Sequence, residues 1–177
     1  MEDKLKETLR NLETEYSGRS FQGVIELVKR EKINDDDLLK QIEDLSLKRF
    51  RERVLFTLGV PLGNLLESAV TMVALVMAFQ INSDWMLYIS ALVLMTTLHP
   101  ISHYVTGYMS GIRFTHYYLN GPAKIEPTLR IDHFSYLKAS GKKRALMHVS
   151  GVIGTLAGPI ISALIALMKA KREYGYR

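Results

Sequence analysis

The stretch "LHPISHYVTGYMSG", residues 98–111, carries two histidines four residues apart in an otherwise apolar run. On an unbroken helix, positions i and i+4 share a face, so the two imidazoles can converge. Two neutral imidazoles at that spacing can bind one Zn²⁺ through bonds of roughly 2.0–2.1 Å. In helical H-E-x-x-H metal sites the glutamate serves as general base. Here that position is Pro100, which cannot take a proton from a zinc-bound water. The plainer alternative is a kinked helix holding two hydrogen-bonded histidines. Pro100 removes one helix N–H and crowds the carbonyl of Thr96, so a kink or break is expected at His99. The hydroxyl of Thr96 or Thr97 would then cover the freed backbone groups.

Other side chains could complete such a site. Glu67 is the sole carboxylate of the first apolar run, and a charge at that depth is costly enough to suggest a partner or a task. It is a candidate base, metal ligand or hydrogen-bond partner for His99 and His103, or else a neutral or snorkelling side chain. His148 is a candidate third ligand, or a histidine at the membrane interface. Asp132 and His133 are neighbours in a loop and are expected to be exposed. The absence of cysteine rules out disulfides, thiolate metal sites and a cysteine nucleophile.

The elements that must position these groups follow from an uneven distribution of charge. Residues 1–53 are rich in Lys, Arg, Asp and Glu, whereas long intervals after residue 53 carry almost none. This pattern predicts a soluble helical segment over 1–53 joined to a membrane-embedded part over 54–177. Leu5, Leu9 and Leu12 recur at helical spacing, and "FQGVIELVKREKI" forms a second short amphipathic helix. A third begins near Asn34 or Asp35 as N-cap, places Leu38, Ile42, Leu45 and Leu47 on one stripe, and ends in the basic cuff "KRFRER". Together these make either a small soluble bundle or a surface lying on the bilayer, as a tether or as a partner-binding element. No apolar core follows Met1, so no secretory signal is expected.

Three apolar runs are long enough to span a bilayer: 54–80, about 85–110 and about 145–168. Gly59, Pro61 and Gly63 would bend the start of the first. Trp85 and Tyr88 suit an interfacial belt. In the third run Ser150, Gly154, Gly158 and Ser162 recur every four residues, a small-residue ridge suited to close helix packing, within the chain or between copies. Between the second and third runs, "RFTHYYL" alternates and "NGP" and "EP" mark turns, which predicts a short β-hairpin. The fold class expected is an all-α membrane protein of about three transmembrane helices, with a hairpin-like loop and an N-terminal helical segment.

The formal charge is +5, from 23 basic and 18 acidic residues. No RNA-binding or zinc-finger motif accompanies it, so nucleic acid is excluded as a partner and anionic lipid headgroups account better for the basic flanks. The basic excess places the N-terminal segment and the 111–144 loop in the cytoplasm. Three crossings would then put the basic tail outside, against the positive-inside rule. Either 54–80 is a re-entrant hairpin, or the last run does not fully cross, or the rule fails here.

The motif order His99–His103, Gly111-Ile112-Arg113-Phe114, Asn120-Gly121-Pro122 and Leu156-Ala157-Gly158-Pro159 resembles the site-2 protease family of intramembrane zinc metalloproteases. The resemblance covers residues about 85–168. It implies His99 and His103 as zinc-ligand histidines, Gly111 at the head of a strand, and the "LAGPIIS" segment in the next membrane helix, with Ser162 where the family has Asn. It also exposes departures. Pro100 stands in place of the catalytic Glu, and the family's third ligand, an Asp on a still later helix, has no counterpart in these residues. The function implied is a noncatalytic site-2-protease-like membrane protein that binds a membrane partner or client and is expected to self-associate. The alternatives are an active zinc-dependent intramembrane protease, using Glu67 or a partner subunit, and a small transporter or channel subunit.

Overall fold

The computed structural model describes residues 2–121 and 125–174, with side chains described for 5–121 and 125–172. Pro122, the second half of the expected Gly-Pro turn, lies outside the described residues.

Three helices open the chain: α1 (Glu2–Thr14), α2 (Gly18–Glu31) and α3 (Asp36–Arg53). Ser17 caps α2, and Asp35 caps α3 by accepting from the backbone N–H groups of Asp37 and Leu38. Their leucine stripes close on one another, burying Leu5, Leu9, Leu12, Leu38, Ile42 and Leu45. Leu39 joins this core beside Leu38, while Leu47 is only half-buried. The segment is thus a bundle with its own core. That core also takes in Leu137, with Phe134 packed against it, from α6 (His133–Lys138), a short helix within what was expected to be a loop.

The rest of the chain is not wholly helical. Thr57–Gly59 form a strand, β1, ahead of α4 (Val60–Gln80). The expected hairpin is present as β2 (Phe114–Asn120) and β3 (Glu126–Ile131), and β1 adds to its edge in the order β1-β2-β3, all antiparallel. The chain is mostly helical, as expected, and β1 extends the expected hairpin to a three-stranded sheet. The apolar run from residue 54 masks a strand, because Pro61 at the first turn of α4 sets where the helix starts. Gly111 and Gly121 both have φ of +80°, one closing α5 and the other turning the hairpin.

Helices α4, α5 (Asp84–Met109) and α7 (Gly141–Tyr174) are each long and apolar enough to cross a membrane. Helix α4 is one unbroken helix of 21 residues, about 30 Å long at 1.5 Å per residue, so the re-entrant alternative for 54–80 does not hold. Large apolar side chains such as Leu65, Met72, Leu92, Ile153 and Leu167 face outward along these helices. A water-soluble protein would bury such side chains; a bilayer would solvate them. Trp85 and Tyr88 stand exposed at one end, near Lys169, whose Nζ donates to the Ile81 carbonyl at 2.6 Å. The sheet, α6 and the N-terminal bundle occupy the other end.

The closest packing is between α5 and α7. A Cβ added at Gly154 would lie 2.5 Å from the Leu98 carbonyl oxygen, and one at Gly158 would lie 2.5 Å from the Met95 nitrogen. Ser150 and Ser162 are buried on the same face. The small-residue ridge is therefore occupied inside the chain, and the expected self-association face from Ser150 to Ser162 is corrected accordingly. Helix α5 also runs through Pro100 without the break expected at His99. The two threonine hydroxyls are engaged elsewhere: Thr96 Oγ1 donates to the carbonyls of Leu92 and Val93, and Thr97 Oγ1 lies 2.7 Å from Thr71 Oγ1, whose own hydrogen goes to the Glu67 carbonyl.

Gly158→Ala forces backbone apart rather than a flexible side chain, so it should destabilise the protein by about 1–3 kcal/mol. Thermal unfolding of the detergent-purified chain tests this; a melting temperature equal to the parent's would contradict the close approach of α5 and α7.

Candidate functional site

The α5–α7 contact places both sequence-predicted histidines. Their rings lie 4.6 Å apart between centroids, at 85°. His103 Nδ1 is 2.7 Å from the Met147 carbonyl oxygen. A carbonyl can only accept, so Nδ1 of His103 carries the proton. His99 Nδ1 is 2.8 Å from Thr155 Oγ1, whose own hydrogen goes to the Gly151 carbonyl at 3.1 Å. Thr155 Oγ1 must then accept from His99 Nδ1. The network thus assigns both neutral rings the same tautomer, with Nε2 bare.

This is the tautomer that ligation through Nε2 requires, and a hydroxyl or carbonyl on the far nitrogen is how metal-bound histidines are oriented. Three features oppose a zinc centre. His103 Nε2 lies against Gly151, where no Cβ could be accommodated. His148 lines up with His103 at 6.1 Å between ring centroids, but its Nε2 is 3.0 Å from the Tyr136 hydroxyl. Among the described residues, no three histidine, aspartate or glutamate side chains come together as a metal-holding group. A catalytic zinc takes three protein ligands; among the described residues this pair offers two nitrogens.

Glu67 lies elsewhere. It lines a cavity of about 120 Å³ with Phe56, Leu58, Tyr117, Leu119 and Pro127, between α4 and the sheet. Tyr117 is seated there because Gly63 leaves room under its ring, and its hydroxyl donates to Asn64 Oδ1 at 2.8 Å. Burial, then the neighbouring Glu67 carboxylate, pushes the Tyr117 phenol well above its ordinary value. Glu67 therefore belongs to the sheet face of α4. Ser162 has a buried hydroxyl with no partner among the described residues.

A polar cluster that the sequence did not reveal joins the two halves of the chain. Arg130 of β3 is buried; its Nη1 donates to Glu43 of α3 at 2.7 Å and to Thr115 at 3.0 Å. Its Nη2 donates to Ser46 at 3.2 Å. The His133 backbone N–H donates to the other Glu43 oxygen at 2.8 Å, and Asp132 caps α6 by accepting from Phe134. Asp132 and His133 are half-buried in this arrangement, which corrects their expected exposure. Burial alone would push the Glu43 carboxyl up, but contacts from His133 and the Arg130 guanidinium outweigh it and hold the carboxyl below its ordinary range. The sequence hint was Glu43 directly after Ile42 of the apolar stripe of α3, one of several acids on that helix and a signal too common to be read alone.

No family model matches this chain, and neither a curated protein nor a solved structure shows significant similarity to it. The chemistry must be argued from the geometry.

Because the folded-state pKa of Glu43 is depressed, its stabilising contribution is present above the ordinary carboxylate value of 4.5 and is lost as pH falls through the lower folded-state value. Arg130→Met should remove that protection and leave a buried, unpaired carboxylate, costing about 3 kcal/mol at neutral pH. In Glu43→Gln the acid-side loss of stability should flatten. Denaturation midpoints from neutral pH down to pH 3 check both; an acid limb in Glu43→Gln as steep as the parent's would remove Glu43 as its source.

Proposed function

We propose that this chain is an integral membrane protein with a site-2-protease-like core and no proteolytic chemistry of its own. It engages a membrane partner or client through its apolar helices and its N-terminal helical bundle. The observation that carries this reading is the engagement of His99 and His103. Both rings are tied to α7 through Nδ1, Pro100 follows His99 where the zinc motif has its glutamate, and Glu67 lines the cavity at the sheet instead. A pair so arranged orients helices, and Pro100 in the glutamate position cannot act as a base toward water.

The membrane assignment is supported by the three apolar helices and their outward-facing leucines, valines and methionines. The basic cuff at residues 48–53 and the loop from 111 to 144 then lie on the cytoplasmic side, where basic residues accumulate. With the ridge of α7 occupied by α5, the exposed face of α4 is the surface left for a partner or a second copy.

A second reading, an active protease completed by a partner subunit, draws on the bare Nε2 atoms of the two histidines. Zinc content and cleavage separate the two. On our reading the purified protein carries substoichiometric zinc, leaves a transmembrane reporter uncut, and His99→Ala lowers its melting temperature. One equivalent of zinc lost in His99→Ala, together with reporter cleavage abolished by Glu67→Gln, would overturn it. Release of the chain from membranes by alkaline carbonate would overturn the membrane assignment itself.

A further inference from the structure

The C-terminal end of α3 meets the hairpin across a cleft of about 630 Å³, lined by Tyr16, Arg49, Phe50, Arg53, Leu55 and Phe56, with Tyr118 to Gly121 opposite. Two guanidinium groups share it. The centres of Arg49 and Arg53 each lie 5.1 Å from the centroid of the Tyr16 ring. Arg49 is held by Glu52 at 2.9 Å and by the Glu13 carbonyl at 2.9 Å, yet its Nε is buried without a partner. Arg53 has no carboxylate partner among the described residues and is exposed at the cleft. Two like charges gathered on one ring, with a single carboxylate between them, repel unless an anion joins them.

The setting says which anion. Leu55 is fully exposed and Phe56 is largely so, and both precede the first apolar helix by a few residues. Leu119 and Ile125 are exposed at the far end of the hairpin. The cationic floor therefore sits beside apolar side chains at the mouth of a membrane span. Guanidinium groups pair with phosphate oxygens through their planar fork, and apolar neighbours accept acyl chains.

We propose that this cleft binds the phosphate of an anionic phospholipid headgroup, with Arg53 and the Nε of Arg49 as donors and Leu55 and Phe56 against the acyl chains. The proposal rests on the membrane assignment made above. Its site is separate from the histidine pair and shares Phe56, Tyr118 and Leu119 with the wall of the Glu67 cavity. The same phosphate chemistry could be met by a free ion, and the measurement distinguishes the two.

The test titrates the full chain, purified in a neutral detergent, with short-chain phosphatidylglycerol, short-chain phosphatidylcholine or inorganic phosphate, and reads bound adducts by native mass spectrometry. The expected result is retention of phosphatidylglycerol over phosphatidylcholine, with no retained inorganic phosphate. Arg53→Gln should weaken that retention about fivefold, the effect of one basic residue at an anionic surface. Arg51→Gln removes the same charge from the same helix outside the cleft and should change it little. Equal retention of the two lipids, equal losses in the two variants, or retention of inorganic phosphate as strong as that of the lipid would each overturn the proposal. A chain that stays monodisperse after detergent removal would instead sink the membrane assignment, so the two failures are told apart.

Discussion

Helices α5 and α7 come within backbone contact only because Gly151, Gly154 and Gly158 have no side chains, and the rest of the membrane-length region depends on that approach. Gly154 faces the Leu98 carbonyl and Ser102, Gly158 faces the backbone of Met95, and Gly151 faces the ring of His103. In a bilayer there would be little hydrophobic gain in pressing one apolar helix on another, so close van der Waals contact and interhelical hydrogen bonds would have to hold the pair. Both are present. Ser150 Oγ lies 3.1 Å from the Ser102 carbonyl, and the two histidines bond to Met147 and Thr155. The imidazoles are thus part of the same contact that the glycines permit.

The sheet serves a different purpose. Its two faces look at two unlike partners. Tyr117 packs toward Gly63 and Asn64 of α4, while His116, tilted, and Tyr118, edge-on, pack against Phe50 of α3. The alternation of a strand delivers these neighbours to opposite sides. The sheet therefore joins a soluble-type helical core to an apolar helix, and the buried Arg130–Glu43 pair locks the hairpin to α3. Such a pair contributes orientation more than net stability, since both charges must be desolvated to form it. The arginine cleft lies on the α3 side of this joint, where Phe50 and Tyr118 form its wall.

Much of the architecture was legible from the chain because it rests on local rules. The leucine stripe of α1, the Asp35 cap, the hairpin turn and the lengths of the three apolar helices follow from spacing and composition. The glycine–serine ridge announced a close helix contact, but not its partner. Strand β1 was hidden, since three extended residues inside an apolar run just before a helix look like the helix's own first turn. Helix α6 is too short to carry a periodic signal.

What the sequence determined by itself was the division into a charged helical head and membrane-length apolar helices, and the presence of two imidazoles one helical turn apart. Those are properties of neighbours along the chain. Only the tertiary structure decided that Glu67 turns to the sheet, that both histidines donate to α7, and that Glu43 meets Arg130 across 87 positions. Such pairings depend on which faces meet once the helices pack, and local spacing carries no record of that choice.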